Sequence, residues 1–266
     1  MSVTEHPTDA EFLRRGYACF PAEPQVLDWV AEAQPAAEAS LSDPAFDALY
    51  ACGRTWFVGL DALPNDAVGR VGASAAFGGQ AADMARRFLG DWPDLHRAQV
   101  SATFPGYPQP REGESDAAFG YRLRRDAAHV DGVLGEGTPK RRYVREPHGF
   151  VLGIALNPAD PDATPLVAWE GSHKIMQDAF RAAFAGVSAA ERDDLDVTDI
   201  YVSVRKHCFE NCTRVELPLA LGETVLLHPF TLHGVAPWRA GEGHRSVAYF
   251  RPEVAGGVPA WLGLPG

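Results

Sequence analysis

Residues Gly222 to Glu253 read GETVLLHPFTLHGVAPWRAGEGHRSVAYFRPE. Two short apolar runs, ETVLLHPF and HRSVAYFR, flank a stretch punctuated by Gly and Pro; His233 closes the first limb and Arg245 opens the second. Short runs rich in Val, Tyr and Phe and bounded by such turn residues read as β-strands. Gly241 and Gly243 suit a turn, so strands ending at His233 and starting near Arg245 can lie as antiparallel neighbours.

The pattern extends outward. From Ala98 onward QVSATF, GYRLRR, GFVLGIALN, TPLVAW, DIYVSV and TRVELPLA repeat it, which predicts a β-sandwich or barrel. Helical spacing marks Asp9 to Tyr17, Pro24 to Ala39 and Ala81 to Leu89, and Ile175 to Ala190 reads as a helical insertion among the strands. The polar, Gly- and Pro-rich segment Gly106 to Gly120 reads as a mobile loop.

At 266 residues and 46% hydrophobic, the chain can bury a full core, and we expect a single domain over 1–266. A net charge of −11 disfavours nonspecific binding to nucleic acid or to an anionic membrane, leaving a small molecule as the expected partner. Cys19, Cys52, Cys208 and Cys212 are too scattered for a disulfide framework, which suits a reducing, cytoplasmic setting. The first twenty residues mix acidic and basic side chains without an apolar core, so no secretory leader is expected.

His129-Val130-Asp131 lies in the middle of the chain. Residues two apart on a strand leave the same face, so both side chains can reach one ion. Two imidazoles and one carboxylate on one face of a metal leave the other face open, the donor set of non-haem Fe(II) oxygenases. His-x-Asp alone is a weak motif. His233, followed by Gly234, is the candidate third ligand; His228 competes, but odd spacing puts it on the opposite strand face unless Pro229 bulges the chain, and it reads as a structural histidine.

Arg245 is placed to hold a carboxylate bidentately beside the metal. Arg251 shares its strand face, so parity does not separate the two. Arg122, Arg124, Arg125, Lys140, Arg141, Arg142 and Arg145 crowd around the His-x-Asp motif, and Arg142 and Arg145 are candidates to hold an anionic substrate; the same cluster also reads as a solvated face paired with Asp126, Glu136 and Glu146. His207, Cys208 and Cys212 are a poor zinc site without a second pair. Trp169 and Trp238 suit either the mouth of a site or the core.

The ordered set His129-Val130-Asp131, Gly171-Ser172-His173-Lys174, His233 and Arg245 resembles the phytanoyl-CoA dioxygenase family of Fe(II)/2-oxoglutarate oxygenases. GIALNPADPDATPLVAWEGSHK resembles the family's segment joining its two halves, and EFLRRGYACF its opening helix and strand, so the resemblance spans most of the chain. It implies a mainly β fold with flanking helices around a double-stranded β-helix, a jelly-roll, cupin-like core. It also implies Fe(II) held by His129, Asp131 and His233, with 2-oxoglutarate anchored on Arg245. Dioxygen would then be used to hydroxylate a small organic substrate, releasing succinate and CO2.

Two departures stand out: Glu170 replaces the usual proline before Gly-Ser-His, and Ser246 directly follows Arg245 where the family has Arg-x-Ser. The resemblance assigns His173 a structural use, and a carboxylate at Asp131 favours hydroxylation over halogenation. A cupin-like metalloenzyme that does not use 2-oxoglutarate, and a non-catalytic jelly roll that binds a small ligand, are the competing readings.

Overall fold

In the strand β12 (Arg245–Phe250), successive side chains go to opposite faces. Ala248 and Phe250 join a large core shared with helices, whereas Tyr249 packs into a second core with Val151, Ala155, Val225 and Leu227. That division organises the computed structural model, which describes residues 7–266.

The chain opens with α1 (Asp9–Arg15), capped by reciprocal hydrogen bonds between Thr8 and Glu11, and β1 (Tyr17–Phe20). Then come α2 (Pro24–Ser42), a short 3-10 turn, β2 (Tyr50–Ala51), β3 (Trp56–Gly59), α3 (Gln80–Leu89) and β4 (Gln99–Thr103). Helix α4 (Asp116–Arg124) and the hairpin β5 (Val133–Glu136) and β6 (Arg141–Val144) precede β7 (Val151–Ala155) and β8 (Leu166–Glu170). Helices α5 (Ser172–Phe184) and α6 (Thr198–Asn211) lead to β9 (Thr213–Leu217), β10 (Thr224–Leu227), β11 (His233–Val235), β12 and α7 (Gly257–Leu262).

The major sheet has the order β1-β10-β7-β12-β4-β3-β2 and the minor sheet β11-β8-β9, extended at its β11 edge by a bridge between His129 and His233. From β4 onward the chain visits the sheets in turn: β4 major, His129 minor, β7 major, β8 and β9 minor, β10 major, β11 minor, β12 major. Antiparallel strands wound between two facing sheets in this way form a jelly roll. Tyr17, Val151, Ala155, Val225 and Leu227 of the major sheet meet Leu166, Ala168 and Leu217 of the minor sheet in the apolar interior. Trp29, Phe77, Met84 and Phe88, from α2, α3 and the segment between them, cover the outer face of the major sheet.

Two expected strands are helices. GYRLRR lies mostly in α4, whose N-cap Ser115 accepts from the Ala118 N–H. DIYVSV lies in α6, where Tyr201, Val204 and Cys208 form a buried stripe at helical spacing while Val202 is exposed. The alternation of Ile200, Val202 and Val204 suits a strand, but burial of that stripe against the minor sheet and α5 overrides it. The inserted helix begins at Ser172 and ends at Phe184, earlier at both ends than the spacing predicts. Part of the segment expected as a loop, from Asp116, belongs to α4. Among the described residues no helix is long and apolar enough to cross a membrane.

Candidate metal centre

His129 and His233 face one another across the edge of the minor sheet. His129 N–H donates to the His233 carbonyl at 2.8 Å and His233 N–H to the His129 carbonyl at 3.0 Å. Directly paired residues project to the same side, and the two rings lie with centroids 4.8 Å apart. Asp131, two residues on, brings its carboxylate to 3.0 Å from His129 Nε2 and 3.9 Å from His233 Nε2. Among the described residues, these three are the one group of His, Cys, Asp and Glu side chains whose ligand atoms converge, all within 4.8 Å of one another.

Backbone carbonyls orient both rings. His129 Nδ1 donates to the Ala127 carbonyl at 3.0 Å and His233 Nδ1 to the Thr231 carbonyl at 2.9 Å. A carbonyl only accepts, so each Nδ1 carries a proton, and Nε2, on the Asp131 side, is the ring atom that can give a lone pair to a metal. Burial lowers His233 to about 4, keeping it neutral near pH 7. Burial by itself raises the Asp131 carboxyl, but the surrounding His129, His233 and Arg251 side chains outweigh it and hold the group well below the usual carboxylate range. Two neutral imidazole nitrogens and one carboxylate are the donors a divalent transition metal takes.

The supports come from distant parts of the chain. Gly132 has φ +77°, and a Cβ there would lie 1.9 Å from the Glu146 carbonyl oxygen, so only glycine lets the chain turn away from Asp131 against that backbone. Tyr121 Oη donates to the Ala128 carbonyl at 2.9 Å, and Tyr201 Oη accepts from the Val130 N–H at 3.1 Å. On the β11 side, Ser172 Oγ accepts the Leu232 N–H at 2.9 Å, and His173 Nε2 donates to the Leu13 carbonyl. Glu170 accepts from Tyr17 Oη at 3.3 Å and pairs with Arg15. The Gly-Ser-His segment thus ties β11 and α1 to the minor sheet.

Arg245 is 5% exposed, and its Nη2 is buried without a hydrogen-bond partner. By strand alternation it shares the inward face of Tyr249, and it sits opposite Thr103, whose hydroxyl is bonded to Thr164. A buried guanidinium with spare donors is a site for a carboxylate. Arg251 has a different position, with Nη1 3.6 Å from Asp131 Oδ2.

The remaining candidates lie elsewhere. His228 Nε2 donates to the Pro265 carbonyl at 2.8 Å, and its ring packs on His173 and Phe88 in the core. Arg145 makes a bidentate pair with Glu136 at 2.6 and 2.9 Å, and Arg142 donates to the Val133 carbonyl at 3.1 Å with its guanidinium over the Tyr201 ring. Both guanidinia are thus engaged by the protein's own groups. Trp169 is a core residue packed edge-on against Phe209, while Trp238 is half-buried and donates its backbone N–H to the Tyr107 carbonyl. Cys208 is buried and Cys212 half-buried, and both, like Cys19 and Cys52, are free thiols. The tyrosines behind the motif escaped sequence reasoning because Tyr201 and Val130 are 71 residues apart, with no local pattern to join them.

No family model and no curated protein matches the sequence. Solved structures are similar to it across most of the chain. EctD from S. alaskensis with bound Fe is 19% identical, with a TM-score of 0.49, covering 94% of this chain and 78% of its own. SnoK, a non-heme alpha ketoglutarate dependent carbocyclase from nogalamycin biosynthesis, is 13% identical with a TM-score of 0.48, covering 92% and 82%. The epimerase SnoN, in complex with Fe3+, alpha ketoglutarate and nogalamycin RO, is 16% identical with a TM-score of 0.49, covering 92% and 82%.

Proposed function

We propose that the chain, acting as one domain, is an Fe(II)- and 2-oxoglutarate-dependent dioxygenase of the phytanoyl-CoA dioxygenase-like type that hydroxylates a small anionic organic molecule. The convergence of His129 Nε2, His233 Nε2 and a carboxylate of Asp131 carries this reading. The residues fit the metal: both imidazoles present lone pairs, and the carboxylate is ionised. They also fit the cosubstrate, because the buried Arg245 guanidinium lacks an internal partner for Nη2. A cupin-like metalloenzyme that does not use 2-oxoglutarate has no use for that unpartnered cation.

Iron with 2-oxoglutarate, when bound, would supply the oxidising power to hydroxylate a substrate C–H bond with release of succinate and CO2. The protein's part is placement. His129, Asp131 and His233 would hold the metal, Arg245 would orient the far carboxylate of 2-oxoglutarate, and the jelly-roll interior would keep water away.

We assign an anionic substrate to Arg251. Arg251 has a side chain 19% exposed and only the 3.6 Å contact to Asp131, so donors remain for a carboxylate or phosphate. Arg142 and Arg145, the candidates favoured by charge density in the sequence, are tied to Val133 and Glu136.

The test is succinate formation by protein supplied with Fe(II), 2-oxoglutarate and air. Slow succinate release is expected from the wild type and none above background from Asp131→Ala; equal release from both would contradict the assignment.

A further inference from the structure

We infer that Asp126 and Arg214 are positioning residues for His129, acting through a left-handed bend in the backbone. This rests on the reading of His129 as a metal ligand and names what aims it.

Asp126 and Ala127 are consecutive non-glycine residues with φ +53° each. The left-handed region is disfavoured for an L-residue, so two in succession persist only where the surroundings hold them. Here the hold is explicit. The Asp126 side chain is buried, and both of its oxygens are taken by one guanidinium: Arg214 Nε to Oδ2 at 2.7 Å and Nη2 to Oδ1 at 3.0 Å. This two-pronged geometry fixes orientation as well as distance. Arg214 belongs to β9, at the far edge of the minor sheet, and is steadied in turn by Glu216 at 3.0 Å.

The Asp126 carbonyl accepts the Val235 N–H at 2.9 Å and runs so close to Gly234 that a Cβ there would lie 2.1 Å from it. The bend is therefore pinned from below by β11 and from the side by β9. Its product is the placement of the Ala127 carbonyl, the group that receives the His129 Nδ1 proton at 3.0 Å. Arg214 thus reaches the metal ligand in three steps: carboxylate of Asp126, left-handed bend, carbonyl of Ala127. The side chain of His129 is 44% exposed and has little packing to hold it, so this carbonyl and Asp131 set its direction. Partners that orient a metal-binding histidine typically alter metal affinity 10- to 100-fold when removed.

The experiment titrates Co(II) alone into metal-free protein and follows the visible absorption of the bound ion. It compares wild type, Asp131→Ala, Arg214→Gln, Arg214→Lys and Ala127→Gly, with a thermal midpoint recorded for each. Wild type is expected to bind one ion and Asp131→Ala to lose it. Arg214→Gln is expected to bind at least about tenfold more weakly, with partial recovery in Arg214→Lys. Ala127→Gly is the control: glycine accepts positive φ without strain and keeps the carbonyl, so its midpoint stays at or above that of wild type and its Co(II) affinity stays near the wild-type value.

Wild-type affinity in folded Arg214→Gln would overturn the positioning role while leaving the metal site standing. A loss in Arg214→Gln that merely follows its midpoint would overturn it too. If wild type and Asp131→Ala bind Co(II) alike, the metal-site reading itself fails and this inference with it.

Discussion

His129 and His233 exchange both backbone hydrogen bonds, at 2.8 and 3.0 Å, so the spacing of the two imidazoles is set by the pairing of the main chain and not by the rings. Removing either ring therefore leaves the sheet edge intact. His129→Ala is expected to lose tight Co(II) binding while its unfolding free energy changes by less than about 1 kcal/mol, as for surface substitutions. His228→Ala, which empties a buried position packed on Phe88 and His173, is expected to lose roughly 2–4 kcal/mol. Urea unfolding beside metal titration checks both.

Arg245 gives a less intuitive outcome. An unpartnered buried guanidinium weakens the ligand-free fold, and replacing such a charge with an apolar side chain of similar length is often stabilising by about 1–4 kcal/mol. Arg245→Met is expected to raise the thermal midpoint of ligand-free protein and to abolish 2-oxoglutarate binding, read by calorimetry on the metal-loaded form. A lower midpoint with unchanged 2-oxoglutarate affinity would show that the residue is a structural support.

Arg251 and a metal ion both draw on Asp131. Withdrawing the competing cation favours the ion. Arg251→Gln is expected to bind Co(II) roughly fivefold more tightly, about 1 kcal/mol at a partly screened separation of several ångströms. The same variant is expected to bind the anionic substrate more weakly, so the two affinities move in opposite directions.

Acid sensitivity follows from the buried pair His173 and His228, which burial lowers to about 4 and about 3. Unfolded histidine titrates near 6.5, so between about pH 6.5 and 4 the unfolded chain binds protons that the folded chain refuses, and stability falls as the pH falls. Each ring contributes a loss of about 2 kcal/mol on going from pH 7 to pH 5. Guanidinium unfolding at the two pH values is expected to show this loss, and His228→Gln, if it folds, to reduce it by the share of one ring, about 2 kcal/mol.

Much of the jelly roll was legible because β7, β8, β9, β10 and β12 are written as compact apolar runs between Gly and Pro. His129 and Asp131 do not share a regular strand as the spacing predicts: His129 joins the minor sheet through one bridge to His233, Asp131 falls in the turn that follows, and β11 has only three residues. Helix α6 hid behind the alternating Ile200, Val202 and Val204, since a six-residue window fits either period. At the site, the His-x-Asp motif and His233 could be named from residue chemistry, and the structure brings their side chains together. Arg245 and Arg251 share a strand parity, so only burial and the contact to Asp131 separate them. The basic cluster drew attention by density alone, whereas its partners, Glu136 for Arg145 and Glu114 for Arg122, are set by the fold.

The most direct measurement is an anaerobic titration of metal-free protein with Fe(II) and 2-oxoglutarate, monitored for the weak visible charge-transfer band of the chelate. It is run on wild type, Asp131→Ala, His233→Ala and Arg245→Ala. A band in wild type that is absent from the two ligand variants and appears in Arg245→Ala only at much higher 2-oxoglutarate is the expected result. The absence of a band from folded wild type, or its persistence in Asp131→Ala and His233→Ala, would contradict an Fe(II)/2-oxoglutarate centre at these residues.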